Sequence, residues 1–510
     1  MKQQNSLSIE TTRDLPARLG TDEAIAVCIF ADEERVPLSH REELRRECER
    51  LVAEGEFEGK EGISLFVRVA EQGNARRLLL LGLGAHDATE LSRTLRRASG
   101  MAARAARQSR VEHLYFLLPG TGDETSQASL AGAIAEGALL GLYDGDLYKR
   151  REEEDQPALA RLSIVVEGDA GAELSTALER ARILAESANW ARTLADEPGL
   201  SLPPREFARR AALMAQEFGL RVESLDVEEI RARGMGGLLG VGQGSAEPPA
   251  LIVLRYDPPQ PPADEELWAF VGKGITFDTG GISLKHGLDM YEMKSDMAGG
   301  AAVLGALRAI AQLKPARRVV GIVPSAENMP SGSAIKPGDI VKTLAGFTIE
   351  VVDTDAEGRL VLSDGIAYAR QLGAERIVDL ATLTGSIIVA LGDYRTGLFS
   401  NHDEWARRVE QAAQRAGEPA WRMPVSDDYK KRIESDIADF KNYGGRPDAT
   451  AAALLLSKFA AETPWVHLDI AGTAWHDEPQ PYAPKGTTGT GVRTLVELVC
   501  GEGRNGDDLT

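Results

Sequence analysis

The sequence has few cysteines and histidines, and their spacing excludes several familiar metal and redox sites. Its three cysteines, Cys28, Cys48 and Cys500, lie far apart and form no Cys-x-x-Cys pair. We therefore expect neither a disulfide framework nor a thiolate zinc site. The seven histidines include no His-Glu-x-x-His pattern, which argues against a histidine-ligated zinc protease.

Basic residues and long apolar segments are also scarce. The chain has 58 Lys and Arg against 78 Asp and Glu, a formal net charge of −20. This acidity argues against nucleic acids or anionic membranes as partners. No segment reaches the roughly 18 apolar residues of a membrane span, and residues 1–10 lack the apolar core of a secretory signal. We therefore expect a cytoplasmic protein in a reducing compartment.

The length and the alternation of apolar segments predict two α/β domains. At 510 residues the chain is too long for one core of ordinary size. Strand-like segments alternate with helical patterns throughout, which predicts a mixed, mainly parallel sheet flanked by helices in each domain. We predict an N-terminal domain over 1–170 with an assembly or regulatory role, a linker helix over 171–197, and a larger domain over 198–510.

Two short segments of the larger domain concentrate charged residues. One, at 271–278, reads Val-Gly-Lys-Gly-Ile-Thr-Phe-Asp, and the other, at 353–360, reads Asp-Thr-Asp-Ala-Glu-Gly-Arg-Leu. They follow or overlap predicted strands at 267–271 and 349–352, which we assign to one parallel sheet. Ligands of such sheets bind beyond the carboxyl ends of the strands. Single charged residues in loops are usually solvated, but both segments together are hard to explain by turn chemistry alone.

The carboxylates of these segments predict a site for two metal ions. Without cations, the approach of Asp278, Asp296, Asp355 and Glu357 would be opposed by repulsion and desolvation. Oxygen-rich sites suit Mg²⁺, Mn²⁺ or Zn²⁺, and hydrolases often hold two such ions. We therefore expect a two-metal hydrolase site at the carboxyl ends of the strands of the larger domain.

Two other interpretations fail on the surrounding residues. A phosphate-binding loop would need glycine in place of Leu267 and Ser or Thr in place of Gly274. Ser295 and Ser363 lack the nucleophile-elbow pattern, and no cysteine neighbours either segment. A covalent nucleophile is therefore not expected.

With these segments, the sequence resembles the leucyl aminopeptidases of the cytosol aminopeptidase family. The resemblance covers essentially all of residues 188–499 and includes segments 236–249, 382–385, 435–439 and 467–475. The first domain resembles the family only in its α/β rhythm. The resemblance implies that domain 198–510 is a metallopeptidase that releases N-terminal, preferably leucine-like, residues from peptides by metal-activated attack of water. It also implies a homohexamer.

The resemblance further implies a role for each residue of the site. The metal ligands, for two Mn²⁺ or Zn²⁺ ions, would be Lys273, Asp278, Asp296, Asp355 and Glu357, with Asp278 and Glu357 shared between the ions. A lysine ligand must be neutral, which a neighbouring dication and burial can enforce by lowering its pKa.

The remaining implied roles concern catalysis and the substrate. Lys285 would stabilise the oxyanion, and Arg359 would hold a bicarbonate ion that serves as the general base. Met293, Thr382 and Gly385 would form the pocket for the N-terminal residue of the substrate. Substrates would need a free N-terminus.

One position departs from the family pattern, and two alternative functions stay open. Asp353 stands where the family usually has asparagine, and this extra carboxylate could alter metal binding or the hold of Arg359 on bicarbonate. Some relatives act on DNA, and the helical stretch 93–110 is rich in arginine, although periodic arginines are more often a solvated face. A two-metal phosphohydrolase would share the carboxylates, but it leaves the lysine ligand and the Met293 pocket without a purpose.

Overall fold

The chain divides into two compact units whose boundary falls inside a long helix. The structure, a computed structural model, describes residues 7–16, 19–32, 42–71, 74–119, 124–150, 159–166, 171–262, 264–288 and 290–501. One unit comprises Met1–Glu186 and Asp477–Lys485, and the other comprises Ser187–His476 and Gly486–Thr510. Residues 167–170, where the sequence analysis ends the first domain, lie outside the described residues.

The first unit is a six-stranded sheet with helices on both faces. Its elements are β1 (Ser8–Thr12), β2 (Glu23–Ile29), α1 (Glu42–Ala53), β3 (Ser64–Glu71), β4 (Asn74–Gly82), α2 (Leu91–Gln108), β5 (His113–Leu117), α3 (Glu124–Gly141), β6 (Arg161–Val165) and the start of α4 (Ala172–Asp196). The strand order is β1-β6-β5-β2-β4-β3, parallel except for β3 against β4. Alternation along β2 places Ala26 and Cys28 in the core beneath α2 and α3, and Ile25 and Val27 in the core beneath α1.

The second unit contains a larger sheet and a small separate one. Its strands are β7 (Arg221–Leu225), β8 (Ala250–Tyr256), β9 (Leu267–Gly272), β10 (Gly274–Asp278), β11 (Arg318–Asn328), β12 (Ile340–Lys342), β13 (Thr348–Glu350), β14 (Arg376–Ala381), β15 (Thr396–Ser400), β16 (Ala420–Arg422), β17 (Phe440–Lys441), β18 (Trp465–Asp469), β19 (Trp475–His476) and β20 (Gly486–Thr487). The helices are α5 (Pro204–Phe218), α6 (Val227–Arg233), α7 (Gly236–Gly242), α8 (Ala298–Leu313), α9 (Glu357–Gln371), α10 (Gly385–Leu391), α11 (Asp403–Ala416), α12 (Asp448–Ala460) and α13 (Val492–Cys500), with 3₁₀ turns at Met290–Ser295 and Asp427–Arg432.

The main sheet of the second unit has the order β16-β15-β18-β14-β9-β11-β8-β7, with β10 paired to β11. Its central strands β18, β14, β9 and β11 are parallel. The α/β class predicted from the sequence is confirmed. Among the described residues, no helix combines the length and the apolar character that crossing a membrane would require.

Helices α8 and α9 pack on opposite faces of this sheet. Ala269 and Val271 of β9 share a core with α9, so alternation places Phe270 on the other face. Phe270 is paired with Gly321 of β11, and a Cβ on Gly321 would lie 2.9 Å from Val303 of α8. Glycine at this position therefore lets α8 pack closely on the sheet.

The strand before the second charged segment is in a different sheet from the one that the sequence analysis assigned. We expected a strand at 349–352 of the main parallel sheet, but β13 lies in the small sheet β12-β13-β17. It is antiparallel to β12 and parallel to β17. Because β13 is only three residues long, periodicity could locate it but could not identify its partners.

Candidate metal centre

Two neighbouring strands and two helix N-termini bring the charged side chains of the second unit together. In the parallel pair β9 and β14, Gly272 lies opposite Leu380, so Lys273 and Thr382 follow side by side at the carboxyl edge of the sheet. Helices α8 and α9 begin just after Asp296 and at Glu357. Helix N-termini carry partial positive charge, which favours carboxylates here.

Lys273 lies between two buried carboxylates. Its Nζ is 2.6 Å from Glu357 Oε1 and 3.0 Å from Asp296 Oδ1, and it donates to the carbonyl of Thr382 at 3.0 Å. Burial alone would lower the pKa of Lys273, but the attraction of the carboxylates outweighs burial and raises it. Without metal ions, Lys273 is therefore an ammonium.

Space for the Lys273 side chain depends on a glycine in the second segment. A Cβ on Gly358 would lie 3.0 Å from Lys273 Nζ and 2.9 Å from Leu383 Cδ1. A larger residue at this position would displace the amine from Glu357.

Lys285 bridges the two other carboxylates at the more open side of the cluster. Its Nζ is 2.8 Å from Asp278 Oδ2 and also pairs with Asp355. The Lys285 side chain is 24% exposed, whereas that of Glu357 is 2% exposed. Burial lowers the pKa of Lys285, but Asp278, Glu357 and Asp355 raise it more strongly. Lys285 is thus a partly accessible cation.

The carboxylates of the cluster have more oxygens than the protein satisfies. Oxygens of Asp278, Asp355 and Glu357 approach one another within 4.8 Å. Among the described residues, Glu357 Oε2 and Asp296 Oδ2 are buried without a hydrogen-bond donor. Burial raises the pKa of Glu357 to about 8 and that of Asp296 to about 6. Since buried polar atoms are normally paired, this donor set fits divalent cations.

Arg359, two residues after Glu357, is buried and held on two sides. Its Nη2 donates to both oxygens of Asp448 at 2.7 and 2.8 Å, and its Nη1 donates to the carbonyl of Asn442 at 2.6 Å. Its Nε has no hydrogen-bond partner within the described part of the chain. The guanidinium therefore keeps one buried N–H without an acceptor in this part of the chain.

The three predicted pocket residues lie in three different local settings. Met293 is half-buried in the 3₁₀ turn at Met290–Ser295, and Gly385 is exposed at the start of α10. Thr382 lies within the cluster itself, because its hydroxyl donates to Asp296 Oδ1 at 2.7 Å. The structure thus links one of the three directly to a predicted metal ligand.

Comparison with known proteins assigns the family. The catalytic-domain profile of the cytosol aminopeptidase family matches residues 189–496, and its N-terminal-domain profile matches residues 26–152. The chain belongs to the cytosol aminopeptidase family. Membership confirms the resemblance drawn from the sequence motifs, and it makes the protein a metal-dependent aminopeptidase of the hydrolase class.

Individual members of the cytosol aminopeptidase family match over nearly their whole length. A probable cytosol aminopeptidase of Solibacter usitatus is 48% identical over 472 residues, which cover 92% of this chain and 96% of that protein. One of Koribacter versatilis is 42% identical over 504 residues, covering 95% and 98%.

Solved structures agree in fold and in overall extent. A lysine-to-glutamate mutant of tomato leucine aminopeptidase has a TM-score of 0.87 and 33% identity, covering 98% of this chain and 97% of that one. The bottromycin maturation enzyme BotP, solved in complex with Mn, has a TM-score of 0.82 and 34% identity, covering 95% and 100%.

Two residues that contact the carboxylate cluster or Arg359 were not among the predicted site residues. Asn328 donates to Asp278 Oδ1 at 2.8 Å, and Asp448 holds Arg359. Asp448 follows the Gly-Gly-Arg-Pro stretch at 444–447, which is typical of a turn before a helix but does not indicate the partner of Asp448.

The arginine-rich stretch of the first unit is occupied by ion pairs, which disfavours the DNA-binding alternative. Arg93, Arg96, Arg97 and Arg107 of α2 pair respectively with Glu90, Glu136, Glu61 and Asp144. Arginines that already have carboxylate partners have less charge to offer to phosphates.

Proposed function

We propose that this aminopeptidase holds two divalent metal ions through Lys273, Asp278, Asp296, Asp355 and Glu357. The observation that carries the proposal is the pair of buried, unsatisfied oxygens, Glu357 Oε2 and Asp296 Oδ2. Glu357 lies in a group with Asp278 and Asp355, and Lys273 links Asp296 to Glu357. Two lysines do not satisfy these carboxylates. When bound, the ions would polarise the scissile carbonyl and make a water molecule acidic enough to attack it.

Lys273 and Lys285 take different roles in this proposal. Lys273 is buried between Asp296 and Glu357 and must release its proton to serve as a ligand. Lys285 remains an ammonium, is partly exposed, and can approach the substrate. It stabilises the negative charge that develops on the carbonyl oxygen during attack.

Arg359 would hold a bicarbonate ion, which would supply the general base when bound. Two observations support this role: Asp448 and the Asn442 carbonyl fix the guanidinium, and Nε lacks a partner. The two charged segments contain no histidine and no glutamate besides Glu357, so an external base is consistent with the residues present.

Peptides with a free N-terminus and a leucine-like first residue are the proposed substrates. Met293, Thr382 and Gly385 would line the pocket for that residue, and the bond from Thr382 to Asp296 would fix the pocket relative to the metal ions. By family resemblance the ions are Mn²⁺ or Zn²⁺, and the enzyme is a cytoplasmic homohexamer.

Hydrolysis of leucine p-nitroanilide tests this function. The protein is stripped of metal with a chelator and then assayed with Mn²⁺ or Zn²⁺ restored, beside the N-acetylated substrate. We expect release only from the free amine and only with metal. Release from the acetylated analogue, or no release with any metal, would contradict the proposal.

A further inference from the structure

We propose that Asn442 is a positioning residue, which holds the backbone of the loop at 352–356 so that Asp355 and Glu357 face the metal ions. The inference rests on the function proposed above. Asn442 lies outside both charged segments, 89 residues beyond Asp353 of the second one. It is 1% exposed.

The small sheet brings Asn442 to this loop. Strands β13 and β17 are parallel, with Glu350 opposite Lys441. The backbone N–H of Asn442 continues this pairing by donating to the carbonyl of Glu350 at 3.0 Å. The chain therefore leaves β13 toward the metal ligands with Asn442 beside it. The position of the second segment in this small sheet is what makes the contact possible.

The side chain of Asn442 is saturated by the backbone of the loop. Its Oδ1 accepts from the N–H of Val352 at 2.8 Å and of Asp353 at 3.3 Å. Its Nδ2 donates to the carbonyls of Asp353 at 2.6 Å and Ala356 at 3.3 Å. An amide side chain offers two donor hydrogens and two acceptor lone pairs, so all of its capacity is used on this one loop.

These bonds restrain the chain immediately before helix α9. Ala356 precedes α9 and has no side chain that could cap it, and the loop before it makes no strand pairing beyond β13. Asn442 thus fixes residues on both sides of Asp355, up to the residue before Glu357. Small displacements of reacting groups are costly, since about 1 Å can reduce a rate by about 100-fold.

The main chain of Asn442 also connects the loop to Arg359. Its carbonyl accepts from Arg359 Nη1 at 2.6 Å. Asn442 thus contacts the loop at 352–356 with its side chain and Arg359 with its carbonyl, so it holds both the metal-ligand loop and the arginine in place. Loss of the side chain should disturb the metal ions first, because the carbonyl remains.

The test compares Asn442→Ala with Asn401→Ala in the full-length protein. Asn401 also binds backbone with both ends of its amide, donating to Ala461 and Thr463 at 3.1 and 3.0 Å and accepting from Trp465 at 2.9 Å. It makes no contact with the charged segments, so it controls for the loss of a structural amide. Mn²⁺ affinity is measured by calorimetric titration of metal-free protein, and kcat and KM are measured with leucine p-nitroanilide.

We expect Asn442→Ala to bind Mn²⁺ at least about tenfold more weakly and to lose about 100-fold in kcat with little change in KM. Asn401→Ala should lower only the unfolding temperature. Wild-type Mn²⁺ affinity and kcat in Asn442→Ala would overturn the inference, as would equal losses in the two variants.

A second variant keeps the test decisive if Asn442→Ala does not fold. Asn442→Asp has the same shape but replaces the two donor bonds with a carboxylate facing the carbonyls of Asp353 and Ala356. We again expect weaker Mn²⁺ binding, and unchanged binding would overturn the inference. The wild-type protein separates the two failures. If it neither binds Mn²⁺ nor cleaves the substrate, the proposed function fails; if it does both and the variants match it, only the role of Asn442 fails.

Discussion

Helix α9 carries two buried carboxylates with opposite surroundings. Asp364 accepts backbone N–H groups on both oxygens, from Leu238 at 2.9 Å and from Leu344 at 2.7 Å. Glu357, two turns earlier, pairs only with Lys273, and its Oε2 has no donor among the described residues. The first carboxylate fastens loops to a helix, whereas the second is left open for a ligand.

The pKa values alone would not distinguish these two groups. Burial raises the pKa of Asp364 to about 7 and that of Glu357 to about 8. Both shifts have the same direction and the same main cause, the loss of solvent around a carboxylate. The hydrogen-bond partners do distinguish them, since a satisfied buried acid is structural and an unsatisfied one invites a cation.

The largest expected effect comes from Glu357→Gln. The amide keeps the size of the side chain but removes the charge that the metal ions need, so activity should fall by more than about 1000-fold, or about 4 kcal/mol of barrier. Calorimetric titration should show lost Mn²⁺ binding. The unfolding temperature of the metal-free protein should change little, because the amide oxygen can still accept from Lys273 and the NH₂ group replaces the oxygen that has no donor. A marked fall in the unfolding temperature would show that Glu357 has a structural role.

The second largest effect is expected for Lys285→Ala. This variant tests whether Lys285 stabilises the oxyanion without taking part in metal binding. Removal of the ammonium should reduce kcat by about 100- to 1000-fold, as is typical for the loss of one oxyanion donor. Metal content, measured by elemental analysis, should remain that of the wild type because Lys285 is not a ligand. Parallel loss of metal and activity would show that the assignment is wrong.

Asp364→Asn tests the structural role of the second buried carboxylate of α9. The new NH₂ group would face a backbone donor, so we expect a loss of roughly 2–4 kcal/mol in the free energy of unfolding. Chemical denaturation measures this loss. Because the metal ligands are untouched, kcat and Mn²⁺ affinity of the folded protein should stay within about threefold of wild type. If Asp364→Asn lost Mn²⁺ binding without losing stability, Asp364 could not be a purely structural carboxylate distinct from Glu357.

The smallest effect is expected for Asp353→Asn, which introduces the asparagine that the family resemblance implies at this position. Asp353 Oδ1 accepts from the N–H of Asp355 at 3.0 Å, and an amide oxygen can accept the same bond. Activity should therefore remain within about tenfold, roughly 1.4 kcal/mol of barrier. Complete loss of activity would show that the extra carboxylate takes part in the mechanism.

Much of the site could be predicted because local sequence dictates it. The apolar run of β9, the glycines around Lys273 and the charged stretch before α9 all reveal strand ends and helix starts. Lys273 follows β9 at the carboxyl edge of the main sheet, and Asp296 and Glu357 lie at the starts of the two helices that pack on that sheet, which brings the three side chains together.

The supporting residues could not be predicted because they depend on tertiary pairing. Asn442 and Asp448 lie close to ninety residues from their partners, and their contacts follow from the register between β13 and β17. Both strands are too short to reveal that pairing by periodicity. The same limit explains why the second segment was assigned to the main sheet.

Counting the Mn²⁺ ions bound by metal-free protein tests the central claim most directly. Calorimetric titration should give two ions per chain for the wild type and for Asp364→Asn, and fewer for Glu357→Gln. If the wild type binds no Mn²⁺, or if Glu357→Gln binds as many ions as the wild type, the unsatisfied carboxylates of α9 and its neighbours are not a metal centre.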